Sequence, residues 1–155
     1  MRHRRAIALL ALVGLFVASY LWLNQLVGGE IKCGTGGCDV VQASRWARFL
    51  GVPVAFYGVA GYAAILAIAL FSLRPATLAS RRPLVWLAAL ATGGFVFTLW
   101  LTYLELFVIH AICRWCVASA VIITAIWIVS LAALRTPALR TDPSAGPPRR
   151  DRPAS

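Results

Sequence analysis

The sequence predicts an all-α integral membrane protein, a four-transmembrane-helix bundle with a short amphipathic interfacial helix in its first outer loop. Of the 155 residues, 61% are hydrophobic and 13% charged, against roughly 45–50% apolar and about 25% charged in an ordinary soluble domain. Four apolar runs are each long enough to cross about 30 Å of hydrocarbon at about 1.5 Å per residue. The formal charge of +10 sits at the ends of those runs rather than along one helical face. It therefore speaks for membrane topology and anionic lipid rather than for nucleic acid. The length fits one domain, and no segment repeats at a fixed period.

The spans fall at about 6–28, 53–73, 83–105 and 113–134. The first run has no charge between Arg5 and Glu30, and the second has none between Arg48 and Arg74. Pro53 and Pro83 stand where a helix tolerates proline, at its first turn. Arg2 to Arg5 ahead of an apolar run also has the form of a signal peptide, with Val17-Ala18-Ser19 as the cleavage site, but the run exceeds the usual ~7–15 residues. If the N-terminus is cytoplasmic, eleven arginines fall on the inside and only Lys32, Arg45, Arg48 and Arg114 outside. The positive-inside bias then puts both termini inside and the first and third loops outside. Residues 136–155, rich in Pro, Arg, Asp and Ser, have nothing to bury and are expected to form a disordered cytoplasmic tail.

The longest polar segment joins the first two spans. Val40, Val41, Ser44, Trp46 and Ala47 fall near helical spacing, with Arg45 and Arg48 on another side. This predicts the amphipathic helix, anchored by Trp46 and lying over the bundle as a lid.

All four cysteines fall on the outer side. Cys33 and Cys38 flank a glycine-rich spacer, Gly34-Thr35-Gly36-Gly37, which suits a flexible shuttle. Cys113-Arg114-Trp115-Cys116 has C-x-x-C spacing at the start of a helix, where free N–H groups, the dipole and Arg114 favour a thiolate, the nucleophile of disulfide exchange. Spacing alone leaves three readings open: a redox relay, two structural bridges in a non-catalytic scaffold, and a tetrahedral zinc site.

A wider pattern bears on that choice. Cys38, Ser44-Arg45-Trp46, Arg48, Gly51-Val52-Pro53, Tyr57-Gly58, Gly61-Tyr62 and Cys113-x-x-Cys116 together resemble the vitamin K epoxide reductase family, including its bacterial disulfide-forming members, over about Met1 to Leu134. DsbB-type quinone reductases also carry two outer cysteine pairs, but with the C-x-x-C first; here the order is reversed. The resemblance implies a membrane thiol:quinone oxidoreductase that re-oxidises a separate periplasmic thioredoxin-fold (DsbA-like) partner. That partner would attack the Cys33–Cys38 disulfide at Cys33, Cys38 would attack Cys113, and Cys116 would reduce a quinone, menaquinone or ubiquinone. It also implies a supporting hydroxyl at Ser44. Vertebrate members carry Asn and Tyr where this chain has Val54 and Ala120, which weakens the alternative of epoxide reduction with a thiol donor.

Further residues are candidates on position. His110, three residues before Cys113, is placed to share its helical face and move a proton, although ordinary interfacial hydrogen bonding is the simpler role. Glu105 reads as the end of the third span. Phe56 and Tyr57 are the aromatics placed to line a quinone pocket. Gly58 and Gly61 read as helix-packing glycines, and Gly93-Gly94 as a bend or an opening for a ring.

Overall fold

The computed structural model describes residues 2–28, 37–77 and 80–135. Cys33 and the tail 136–155 lie outside the described residues. Helix α1 covers Arg2–Val27, the short α2 Gly37–Ala43, α3 Val54–Phe71, α4 Arg82–Leu104 and α5 Arg114–Arg135. A π-helical turn, Glu105–Ile109, prolongs α4, so the third apolar helix runs to Ile109. Four helices are long and apolar enough to cross a membrane, and the protein is an all-α membrane bundle. α1 packs on α3 and α5, and α4 packs on α5 and α3, closing a four-sided arrangement. Leu9, Phe16, Leu23, Trp86, Val96, Leu99, Val121 and Ile128 face outward, where only lipid makes so much apolar surface favourable.

The core is built mainly from small residues. Ala8, Ala11, Ala18, Ala69 and Ala91 are buried with Ile7, Ile65, Leu87, Ile123 and Ile126. Small side chains let backbones approach, which is the main source of helix association once water no longer drives it. Gly14 shows the requirement: a Cβ there would lie 2.3 Å from Cε1 of Tyr62. The Tyr62 ring cannot swing away, because its hydroxyl bonds the Ser119 carbonyl oxygen at 2.9 Å and lies 3.0 Å from the Ser119 hydroxyl. One phenol thus joins α1, α3 and α5. Gly58 packs as expected, 3.3 Å from the Ala18 methyl by its virtual Cβ, whereas Gly61 meets nothing within 4 Å and faces a cavity instead.

α1 begins before the apolar run, because Arg4 has a buried role there. Its guanidinium donates to the carbonyls of Ser72, Thr77 (3.3 Å) and Ser80 (3.2 Å). These bonds hold the start of α1 against the α3–α4 connection, so both lie at one end of the bundle. The short elements between α1 and α3 lie at the other.

Those short elements differ from the single amphipathic helix expected over Val40 to Leu50. α2 ends at Ala43, Ser44 is extended (φ −67, ψ 151), Arg45–Ala47 make one 3₁₀ turn, and β1 (Arg48–Phe49) pairs antiparallel with β2 (Val52–Pro53). Ser44 supplies the reason: its hydroxyl bonds back to the Val41 carbonyl at 2.7 Å, an alternative to helix continuation that serine readily takes. At the hairpin tip both Leu50 (φ 54) and Gly51 (φ 82) are left-handed, as a two-residue hairpin turn demands.

Replacing Gly14 by Val should force the Tyr62 ring out of its seat and destabilise the bundle by about 1–3 kcal/mol, the usual cost of overpacking. Tyr62→Phe, which removes only the hydroxyl, should cost about 1 kcal/mol. Thermal unfolding of the two variants in one detergent checks the ranking.

Candidate active site

α2 sits across the lid end of the bundle, against α5 and the π turn. It comes this close because Gly37 has no side chain: a Cβ there would lie 2.3 Å from the Ile112 carbonyl oxygen. The next residue, Cys38, is thereby buried in one cluster with Cys113, Leu21 and Val41, with Cys116 and Trp115 packed at its edge. Cys38 and Cys113 are both fully buried. Cys38 is disulfide-bonded, and Cys113 and Cys116 are free thiols. The site thus holds a disulfide beside a dithiol, the two forms that thiol–disulfide exchange interconverts.

Cys113 immediately precedes α5, at the point where helix N–H groups lack intrahelical partners. The Cys116 N–H donates to Cys113 Sγ at 3.3 Å. Hydrogen bonding from the Cys116 thiol, together with the Cys116 and Trp115 N–H groups, holds the Cys113 thiol below its ordinary pKa. Burial opposes this and is outweighed. Cys113 is the thiolate of the pair, and Cys116 retains its proton.

Cys116 opens onto a cavity of about 430 Å³, the size of a small-molecule site. α3, α4 and α5 form its walls, and Val41, Gln42, Ser44, Trp46 and Ala47 close its lid end. Gln25 of α1 donates to Gln42 and ties that lid down. The walls are mostly apolar, with Ser44, Tyr57, Tyr62, Thr98, Glu105 and Ser119 as polar points. Gly61 and Gly93 give it width, since neither has an atom within 4 Å of its virtual Cβ. α4 runs without interruption through Gly93-Gly94; Gly93 opens space, whereas a Cβ at Gly94 would lie 3.1 Å from the Ile123 side chain.

The structure brings Cys38, Cys113, Cys116, Ser44 and Tyr57 to this end of the bundle. Ser44 lines the cavity, its proton committed to Val41. Tyr57 lines it too, with its hydroxyl donating to the Phe49 carbonyl at 3.2 Å and its ring edge-on to Phe49 at 6.0 Å. Tyr62, Phe97 and Trp46 are the other cavity aromatics. Phe56 is not among the lining residues; it packs edge-on against Trp22 at 5.4 Å. His110 does not share a helical face with Cys113, because it stops the π turn in a left-handed conformation (φ 54, ψ 34) and is exposed. Val54 lines the cavity and Ala120 does not.

The residue that pattern reading passed over is Glu105. It is buried, lines the cavity, accepts the Cys113 N–H at 3.3 Å and hydrogen-bonds the Cys116 thiol. A signal was present: a lone carboxylate inside an apolar span is expensive and usually functional.

The vitamin K epoxide reductase family model matches residues 5–131. The chain belongs to that family. The matched segment contains every element of the site, from α1 to the cavity face of α5. Family membership makes the protein a multi-pass membrane oxidoreductase with thiol-dependent quinone or epoxide chemistry.

Two measurements test the geometry. In protein whose Cys38 disulfide is kept intact, thiolate ultraviolet absorbance should rise with a midpoint below the ~8.5 of a free thiol. Cys116→Ala, which removes the largest stabilising hydrogen bond, should move that midpoint upward. Gly37→Ala should push α2 off Ile112 and slow disulfide exchange between the two cysteine pairs, read by quenched-flow alkylation, while the Cys113 midpoint stays in place.

Proposed function

We propose that the protein is a thiol:quinone oxidoreductase of the bacterial inner membrane, with both termini cytoplasmic and the cysteine end periplasmic. Its substrates are a reduced periplasmic thioredoxin-fold (DsbA-like) protein and a membrane quinone, menaquinone or ubiquinone. The observation that carries this reading is the burial of disulfide-bonded Cys38 beside free Cys113, whose partner Cys116 faces an apolar cavity.

The electron flow balances as follows. A partner thiolate attacks the Cys33–Cys38 disulfide at Cys33 and releases Cys38 as a thiolate. In the form where quinone has already oxidised Cys113–Cys116 to a disulfide, Cys38 attacks Cys113 and Cys116 leaves as a thiolate. The partner's second thiol displaces Cys33, leaving as an oxidised disulfide, and Cys33 re-forms its bond with Cys38, returning Cys113 as a thiolate. The Cys113–Cys116 dithiol then passes two electrons to the quinone and closes to a disulfide. One partner dithiol and one quinone become one partner disulfide and one hydroquinone. Ser44 and Tyr57 line the lid side of the cavity, where they orient the ring. The ring already accepts electrons, so the chain manages without the Asn and Tyr of vertebrate members at Val54 and Ala120.

Purified protein, supplied with a reduced thioredoxin-fold oxidase and a soluble quinone analogue, should oxidise the partner only when quinone is present, and Cys116→Ala should abolish the reaction. Thiol oxidation indifferent to quinone, or full activity in Cys116→Ala, defeats the proposal.

A further inference from the structure

The cavity end of the dithiol carries a third acid. Glu105 lies in the π turn, and the chain folds back through His110 so that the Cys113 N–H reaches Glu105 Oε2. The same carboxyl group hydrogen-bonds the Cys116 thiol and lines the cavity. π turns commonly mark functional positions, and here the turn brings a carboxyl group to both sulfurs of the pair.

Two negative charges side by side in an apolar interior are strongly disfavoured. Among the described residues, the titratable groups facing Glu105 are Cys113, just before α5, and Cys116 of α5, with Tyr62 of α3 on the same cavity. On α2, Cys38 is bonded in a disulfide and Asp39 is exposed; α4 carries no other acidic or basic residue beyond Arg82 at its far end. Glu105, Cys113 and Cys116 therefore titrate as one group. With the dithiol reduced they share a single negative charge, on Cys113, and two protons, on Cys116 and Glu105.

We propose that Glu105 is the catalytic proton donor of the quinone half-reaction, giving its proton to a quinone oxygen as the Cys113–Cys116 dithiol is oxidised. This rests on the thiol:quinone reading above. Two electrons leave the sulfurs and the S–S bond forms. The Cys116 proton and the Glu105 proton both go to the quinone, which becomes the hydroquinone. The negative charge carried by Cys113 before the step is carried by Glu105 after it. No net charge is created or moved out of the apolar site, and no proton has to be drawn from the opposite face of the membrane.

Glu105→Gln keeps an acceptor for the Cys113 N–H and removes the proton donor. In a single turnover of the reduced dithiol against a soluble quinone analogue, this variant should be slower by about 10²-fold or more, the scale of general acid catalysis. Wild-type protein should lose rate on the alkaline side as Glu105 gives up its proton, and that alkaline limb should vanish in Glu105→Gln and return in Glu105→Asp. Disulfide exchange between the partner and the Cys38 disulfide should be unchanged in both variants. A Glu105→Gln protein with wild-type quinone rate and alkaline limb overturns the inference, as does a variant slowed equally in quinone reduction and in exchange, which would make Glu105 a structural support. Wild-type protein lacking quinone-dependent turnover would instead overturn the functional reading beneath it.

Discussion

Because Gly37 has no side chain, α2 settles directly onto the Ile112 carbonyl, and the arrangement of the site follows from that contact. Cys38 comes next in sequence and is buried against Cys113. The chain leaving α2 must turn at Ser44 to clear the bundle, and the 3₁₀ turn and hairpin then roof the cavity between α3 and α4. Phe49 at the hairpin packs edge-on to Tyr57, Phe97 and Trp100, so lid position and cavity mouth are set together. The approach is possible from the other side because the chain before Cys113 is neither strand nor α-helix. The π turn ends at left-handed His110, and the segment from Ala111 to Cys113 is pinned by Ala111 N–H to the Glu105 carbonyl and Cys113 N–H to the Glu105 carboxyl.

Below the site, the bundle meets a different constraint. Lipid supplies no hydrogen bonds, so polar side chains inside a span must find partners in the protein. Tyr62 takes Ser119, Thr92 takes the Ala88 carbonyl while accepting from the Trp127 indole at 3.1 Å, and Arg4 takes three carbonyls of the α3–α4 connection. These bonds fix α1, α3, α4 and α5 against one another where apolar packing among alanines is permissive. They also divide the molecule: a hydrogen-bonded floor at the Arg4 end, an open apolar chamber in the middle, and sulfur chemistry at the top.

The spans were legible because hydrocarbon thickness imposes a length that local sequence can hardly disguise. Cys38, Cys113 and Cys116 were legible as neighbours at one end of the bundle, while spacing alone left their chemistry open between relay, structural bridges and zinc. The lid was legible as a polar interlude but not as a path, since the hydroxyl of one serine decides whether a helix continues. Glu105 was misread as the end of a span because its partners stand eight and eleven residues later, across a π turn that no periodicity announces. His110 misled for the same reason: counting three residues back from Cys113 assumes a helix that the left-handed residue interrupts. Gly58 and Gly61 carry one pattern and two roles, because only the packing of α1 tells which of them faces a neighbour.

Burial gives the proposed relay its order. Cys113 is fully buried and does not line the cavity, so neither a protein partner nor a quinone can approach its sulfur directly. The neighbour able to exchange with it from the lid side is Cys38, which is itself buried and must be released by attack elsewhere on its disulfide. Cys116, half-buried, opens on the cavity and not on the lid. Electrons entering this relay at the lid therefore pass Cys38, then Cys113, then Cys116. The low thiol pKa of Cys113 adds direction to this order. A thiolate that is stable where it stands is a good leaving group when Cys33 re-forms its bond with Cys38, and leaving as thiolate commits the pair to oxidation by the molecule in the cavity.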